Sequence, residues 1–237
     1  MLSAKMEDYL KAIYRLERED GGAVSTSRLA ETLDVTPPTA TSMVEKLAER
    51  GLVDREKYKG VTLTPEGETV ALEVIRHHRL IETFLSEELG YDWAEVHEEA
   101  EILEHHISEE FERRVADRLD QPAVDPHGDP IPNDALEPID DAGESSLADH
   151  DEGDHLEVVR VRDRDSEELT YLDRQGITPG TRFTVEEVAP IGMMTVRIDG
   201  TSTVSLPDHI TEAIQVRPLE ATGADTVSRG PDERSQT

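Results

Sequence analysis

The chain contains 237 residues, no cysteine and 54 acidic against 24 basic residues, a formal net charge of −30 at pH 7. The lack of cysteine excludes disulfides and thiolate metal ligands, and no apolar run approaches the roughly 18 residues of a membrane-spanning helix. The first residues enter an amphipathic pattern instead of a signal peptide, so we expect a cytoplasmic protein with no membrane partner. A hydrophobic content of 35% predicts several modest cores.

The negative charge is unevenly distributed. Residues 1–60 contain 10 basic and 11 acidic residues, including all five lysines, so the excess of acid lies almost entirely in residues 61–237. A near-neutral segment on an acidic body is compatible with DNA binding, although the total charge by itself would argue against it. We interpret the acidic background as an adaptation to high salt, which makes a halophilic protein our hypothesis.

The N-terminal segment has the pattern of a winged helix-turn-helix, which we place at residues 1–64. Apolar spacing predicts a helix over 4–19, two short helices over 27–33 and 37–50, and a hairpin of strands 52–55 and 61–64. Short polar side chains suit base edges, and the lysines of the hairpin suit phosphates. The residues expected to contact DNA are Ser27, Arg28, Thr36, Pro38, Thr39, Thr41, Ser42, Lys46, Lys57, Tyr58 and Lys59.

A helical domain is predicted for residues 65–133, with long helices over 66–89 and 94–119. The apolar surface of the first helix is wider than one packing face requires, which suggests a subunit interface. His78 and Glu82 are spaced i, i+4 on this helix, so both can bind one ion.

The second long helix places carboxylates and imidazoles along one edge. Glu101, Glu104 and His105 share an arc with His97, beside the apolar stripe that includes Val96. Partly buried like charges need a cation, and oxygen and nitrogen donors suit Mn, Fe(II), Co, Ni or Zn. The alternative is an ordinary solvated face of a very acidic protein.

The C-terminal half begins with a Pro-, Asp- and Gly-rich stretch. Residues 134–155 are expected to form an acidic flexible linker. His127 in the stretch before it, and His150 and His155 within it, are expected to lie in solvent. Short β patterns over 156–219 predict a small antiparallel barrel, and residues 220–237 are expected to be disordered. The fold class is therefore mainly α with small β parts.

Four motifs resemble the diphtheria-toxin-repressor family of metal-dependent transcriptional regulators in its three-domain form. They are M-E-D-Y-L-K-A-I-Y at 6–14, H-R-L-I-E at 78–82, H-E-E-A-E-I-L-E-H at 97–105 and H-G-D-P-I-P at 127–132. The resemblance implies a C-terminal SH3-like, FeoA-like barrel and two metal sites. The implied primary ligands are Asp8, Glu101, Glu104 and His105, and the implied ancillary ligands are His78, Glu82, His97, Asp165 and Glu168.

The resemblance does not decide between two metals, manganese and iron. Asp8 and Glu101 are similar to the manganese-responsive members, whereas iron-responsive members typically carry methionine and cysteine there. Manganese members often lack the barrel, however, and carry a glutamate where this chain has Lys11. The expected cofactor is therefore Mn²⁺ or Fe²⁺, with up to two sites per subunit.

The resemblance implies a dimeric repressor of metal-uptake genes that binds a palindromic operator when metal is plentiful. No enzymatic activity is expected, because H-E-E-A-E lacks the second histidine of H-E-x-x-H. His77 and His106 are interpreted as structural or solvated. The alternative function is a metal-independent winged-helix regulator.

Overall fold

The computed structural model describes residues 2–56, 59–139, 144–162, 166–200 and 202–219. The predicted DNA contacts Lys57 and Tyr58, the predicted metal ligand Asp165 and the predicted disordered tail 220–237 lie outside the described residues. Within those ranges, none of the helices combines the length and apolar character needed to cross a membrane.

The N-terminal part is a winged helix-turn-helix, as predicted. It contains α1 (Ala4–Asp20), α2 (Thr26–Thr32), α3 (Pro37–Glu49), β1 (Val53–Glu56) and β2 (Gly60–Leu63). Ser25 and Thr36 accept hydrogen bonds from backbone N–H groups in the first turns of α2 and α3, which fixes where these helices begin. The core includes Leu10, Ile13, Leu16, Leu29 and Leu47.

The helical part differs from its prediction in one element. α4 spans Pro65–Leu89, but the predicted helix 94–119 is two helices, α5 (Val96–Leu103) and α6 (Glu109–Arg118). The break has a local cause: the Ser108 hydroxyl accepts a hydrogen bond from the Phe111 N–H and so begins a new helix. Glu104 and His105 consequently lie in the turn after α5 instead of on a continuous helix face.

The wide apolar surface of α4 is covered within the same chain. Leu80 packs with Val115 of α6, and Ile81 packs with Val96 of α5. Packing of α5 and α6 within the chain therefore accounts for the width of this surface, so the width by itself does not indicate a subunit interface. Large apolar side chains that do remain exposed in this part include Leu89, Ile102 and Phe111.

The predicted linker 134–155 is ordered on both sides of residues 140–143. Ile139 is buried in the core of the winged domain, and its N–H donates to the Tyr14 hydroxyl. Ser145–Ser146 forms β3, followed by a 3₁₀ turn that buries Leu147 completely. The prediction of a flexible linker was wrong for these parts, because single aliphatic residues anchor a segment whose composition is otherwise polar.

The C-terminal part is a six-stranded antiparallel sheet in the order β3-β8-β4-β5-β6-β7. Its further strands are β4 (His155–Val161), β5 (Arg182–Ala189), β6 (Met193–Ile198), β7 (Ser202–Pro207) and β8 (Ile214–Pro218). The helices α7 (Ser166–Gln175) and α8 (Asp208–Ala213) were not predicted. Apolar residues of β4 to β8 alternate into one core, as the strand patterns indicated.

The segment 125–132 joins this sheet to the helical part. Gly128 has φ 87°, and a Cβ at this position would lie 2.0 Å from the carbonyl oxygen of Val159 in β4. The N–H of Val161 donates to the carbonyl of His127 at 2.9 Å. Glycine therefore permits the close approach that places His127 between the helices and the sheet.

Candidate metal centre

The first cluster of metal-binding side chains joins the winged domain to the helical part. Asp8 of α1 lies beside Glu104 and His105 of the turn after α5, with potential ligand atoms within 4.8 Å of one another. His105 Nε2 lies 2.8 Å from Asp8 Oδ1 and 3.3 Å from Glu104 Oε1. The structure thus assembles three of the four residues expected at the primary site.

His105 is held by a second carboxylate that the sequence analysis missed. Its Nδ1 lies 2.7 Å from Glu7 Oε2 on α1. When Nδ1 donates to Glu7, the lone pair of Nε2 faces Asp8 and Glu104, the orientation that a metal ligand requires. Glu7 adjoins Asp8 in the sequence, and only the pairing of α1 with the 104–105 turn reveals its role.

Glu104 is the most engaged carboxylate of this cluster. Its side chain is 1% exposed, and it accepts hydrogen bonds from Lys11 Nζ at 2.7 and 2.9 Å and from His78 Nδ1. Burial would raise the pKa of Glu104, but the hydrogen bonds from His78 and Lys11 outweigh burial and lower it. At Asp8 the balance is opposite, because burial raises its pKa more than the nearby His105 lowers it.

The second cluster contains His78, Glu82 and His97. The atoms His78 Nε2, His97 Nδ1 and Glu82 Oε1 form a triangle with three separations of 2.9 Å. Ligand atoms at right angles on bonds of about 2.1 Å lie about 3 Å apart, so this triangle fits one face of an octahedral ion. The ancillary residues expected from α4 and α5 are therefore brought together.

A third group shares Glu82 and was not predicted. Asp125 and His127 are buried and place potential ligand atoms within 4.8 Å of Glu82. Glu82 Oε2 and His127 Nδ1 lie 3.8 Å apart, and neither atom has a hydrogen-bond partner among the described residues. The expectation that His127 is solvated was wrong: Gly128 brings the segment against β4 and buries it.

Burial alone would raise the pKa of Glu82, whose side chain is fully buried, but the imidazoles of His78, His127 and His97 lower it well below its usual value. A buried carboxylate surrounded by three imidazoles is thus held as an anion. Such a group offers both of its oxygens as ligands, with Oε1 toward His78 and His97 and Oε2 toward His127.

Two further predicted ligands are placed differently. Glu101 is half exposed, and its Oε1 lies 3.5 Å from Lys11 Nζ and 3.5 Å from His97 Nε2, at the rim between the first two clusters. Glu168 lies on α7, 3.4 Å from His209 Nε2, and joins none of the three groups within the described ranges. The barrel therefore does not supply Glu168 to the second cluster, because α7 is packed on the sheet.

The remaining histidines have ordinary roles. His77 is buried between the carbonyl of Glu104 and the carboxylate of Glu112, and His155 is exposed on β4. The expectation that His150 is solvated was wrong. Its Nε2 lies 2.8 Å from Ser145 Oγ, and its Nδ1 lies 3.0 Å from Asp154 Oδ2.

Most of the predicted DNA-contacting residues that the structure describes are exposed on the winged domain. Thr39, Ser42 and Lys46 are exposed on α3 at spacings of three and four residues, so they share a face of that helix. Thr36 caps α3 and its hydroxyl lies 2.8 Å from that of Thr39. Four further predicted DNA contacts are exposed: Ser27, Arg28, Pro38 and Lys59. Thr41 is half-buried.

Three family models match successive parts of the chain. They are described as the iron dependent repressor N-terminal DNA binding domain at residues 1–61, the iron dependent repressor metal binding and dimerisation domain at 64–133, and the FeoA domain at 145–218. Their order agrees with the winged, helical and sheet-forming parts of the structure.

Two curated relatives match over nearly their whole length. The chain is 36% identical over 222 residues to the iron-dependent repressor IdeR of Mycobacterium tuberculosis, covering 89% of this chain and 95% of that one. It is 33% identical over 223 residues to the diphtheria toxin repressor of Corynebacterium efficiens, covering 90% and 95%.

Solved structures give the same result. A manganese-dependent transcriptional repressor in complex with manganese matches with a TM-score of 0.83 and 41% identity over 90% of this chain and 100% of that chain. ScaR with bound Zn²⁺ matches with a TM-score of 0.77 and 32% identity over 90% and 99%. With this sequence identity along nearly the whole chain, and with a carboxylate–imidazole centre between its first two parts, the protein belongs to the iron-dependent repressor family that includes the diphtheria toxin repressor.

Proposed function

We propose that this protein is a dimeric, metal-activated DNA-binding repressor of metal-uptake genes whose effector is Mn²⁺ or Fe²⁺. The observation that carries the proposal is that Asp8 belongs to α1 of the winged domain, whereas Glu104 and His105 belong to the helical part. A bound divalent ion supplies positive charge that ligands from both parts share. Asp8 then fixes α1, and with it α3, relative to the helical part.

This coupling accounts for control of DNA binding. In a dimer, two copies of α3 must lie about 34 Å apart to enter successive major grooves of a palindromic operator. Exposed apolar side chains on the helical part, including Ile102 at 63% exposure, support dimerisation through that surface. Because coupling between sites is reciprocal, operator DNA should tighten metal binding by the factor by which metal tightens DNA binding.

We further propose that His78, Glu82 and His97 form an ancillary site, with Asp125 and His127 as additional ligands. The three 2.9 Å separations and the unsatisfied oxygen of Glu82 support this assignment. The donor set contains only oxygen and nitrogen atoms, which suits Mn²⁺ and Fe²⁺.

Substitution of Asp8 tests the proposal. The variant Asp8→Ala removes the ligand from α1, so we expect it to lose metal-dependent operator binding while remaining dimeric. Fluorescence anisotropy with DNA from the protein's own promoter region, in EDTA, Mn²⁺ and Fe²⁺, measures the first effect, and size-exclusion chromatography with light scattering measures the second.

The exposed residue Asp20 on the same helix provides a matched control, because Asp20→Ala makes the same change of charge away from the cluster. Unchanged metal dependence in Asp8→Ala would refute the assignment of the site. Equal DNA binding of the unmodified protein in all three solutions would identify a metal-independent winged-helix regulator instead.

A further inference from the structure

Lys11 places a cation inside the first cluster. This residue lies on α1, three positions after Asp8, with a side chain that is 16% exposed. Its Nζ lies 2.7 Å from Glu104 Oε1, 2.9 Å from Glu104 Oε2 and 3.5 Å from Glu101 Oε1. The ammonium therefore contacts both oxygens of Glu104, the most buried carboxylate of the first cluster.

Both oxygens of Glu104 already accept hydrogen bonds. Oε1 accepts from Lys11, and Oε2 accepts from Lys11 and from His78 Nδ1. A carboxylate oxygen has about two lone-pair directions. Oε2 therefore has no open lone pair, and an ion bound through Oε1 must share that oxygen with the Lys11 ammonium.

The formal charges around Glu104 also indicate that Lys11 competes with a metal ion for this site. Glu7, Asp8, Glu101 and Glu104 bring four formal negative charges to this region, and the Lys11 ammonium reduces the formal total to −3. A positive charge this close to a cation site repels a divalent ion, and the low exposure of Glu104 limits screening by solvent.

We propose that Lys11 is the resident counter-ion of the primary centre and sets its affinity for divalent metal. In the metal-free protein Lys11 holds Glu104 and links α1 to the 104–105 turn. A bound ion must share Glu104 with Lys11, so the repressor responds at a higher metal concentration than the carboxylates and His105 alone would dictate. This inference rests on the proposed function, since it concerns the same centre.

The variant Lys11→Gln tests the inference with Mn²⁺ as the probe. Removal of the ammonium should tighten Mn²⁺ binding about tenfold or more, the effect of one unit charge on a divalent ion at about 6 Å even in water. Free Mn²⁺ is measured by electron paramagnetic resonance during a titration of the full chain at fixed KCl. Loss of a merely structural contact would weaken binding, so the direction of the change identifies the role.

Two controls accompany this variant. Lys11→Arg keeps the positive charge, so its affinity for Mn²⁺ should stay closer to that of the unmodified protein than to that of Lys11→Gln. Arg174→Gln removes one positive charge from an exposed position on α7, in the C-terminal part of the chain, and should leave the affinity unchanged. Thermal unfolding in EDTA and in Mn²⁺ gives a second readout: the stabilisation by Mn²⁺ should be larger in Lys11→Gln than in the unmodified protein.

The outcomes separate this inference from the proposed function. Unchanged or weaker Mn²⁺ binding by Lys11→Gln, while the unmodified protein binds Mn²⁺, overturns the role of Lys11 and leaves the metal centre intact. Tightening of the same size in Arg174→Gln also overturns it, because the effect would then be general electrostatics. Absence of Mn²⁺ binding in every variant contradicts both proposals.

Discussion

Glu82 is the residue on which the buried imidazoles converge. His78 Nε2 and His97 Nδ1 each lie 2.9 Å from its Oε1, and His127 Nδ1 lies 3.8 Å from its Oε2. Without a metal, these contacts must stabilise a fully buried carboxylate, which costs several kcal/mol when no partner compensates it. The pH dependence of folding should therefore report on this residue.

The corresponding prediction concerns how the free energy of unfolding changes at acidic pH. Folding lowers the pKa of Glu82 well below its usual value of 4.5. A carboxyl group of this kind stabilises the folded state above its unfolded pKa, and the stabilisation is lost as the pH falls through the folded pKa. Urea unfolding of the EDTA-treated protein should therefore show stability falling below about pH 4.5, and falling less steeply in Glu82→Gln.

The exposed Glu87 on the same helix supplies the comparison, because Glu87→Gln should leave the slope of stability against pH unchanged. If Glu82→Gln lost stability with acid as steeply as the unmodified protein, the charge on Glu82 would not be what the imidazoles stabilise.

The turn between α5 and α6 is the element that shapes the primary centre. Helical spacing correctly groups Glu104 and His105, but it does not reveal that the helix ends at Leu103. Leaving the helix lets Glu104 turn toward Lys11 and His78 while His105 meets Asp8 and Glu7. A continuous helix would constrain these neighbouring side chains to directions about 100° apart.

The cap at Ser108 should stabilise this turn measurably. Ser108→Ala removes the side chain that accepts the Phe111 N–H, so the free energy of unfolding should fall by about 1 kcal/mol. Urea unfolding in EDTA measures the change. Ser108→Asp retains a capping oxygen and should restore most of the stability, and an equal loss in both variants would show that capping is not the cause.

Elements with strong periodicity could be predicted from the sequence, whereas those fixed by distant contacts could not. The limits of α1, α3 and α4 follow from apolar spacing and capping residues such as Thr36 and Thr64. The ordered segments around Ile139 and Leu147 depend on cores supplied by other elements, which an acidic composition conceals. His127 similarly becomes buried only because β4 covers its segment.

At the scale of the whole molecule, the three parts meet around the buried polar groups of α4. α1 brings Asp8 and Lys11 to Glu104, which is hydrogen-bonded to His78. α5 brings His97 to His78, and the segment before the sheet brings His127 to Glu82. The Asp8 and His78 clusters are connected by the hydrogen bond between His78 and Glu104. Occupation of either site should therefore alter the other, since they share a polarised network.

The charge of the whole molecule gives the last prediction. A formal net charge of −30 produces self-repulsion that opposes the compact state, and salt screens this repulsion. We therefore expect the urea midpoint of the EDTA-treated protein to rise as KCl increases from about 0.1 M, where the Debye length is about 10 Å, to about 1 M, where it is about 3 Å. Urea is uncharged, so KCl alone sets the ionic strength.

Operator binding should respond to KCl in the opposite direction, because contacts with phosphates release counter-ions and weaken as salt rises. The two measurements distinguish the acidic body from the winged domain, where the lysines are concentrated. A urea midpoint that falls with KCl would show that the ion pairs within the fold outweigh the repulsion among its excess acids, and would contradict adaptation to high salt. A midpoint that rises while DNA affinity declines would place the optimum for repression at intermediate salt, where both folding and phosphate contacts are maintained.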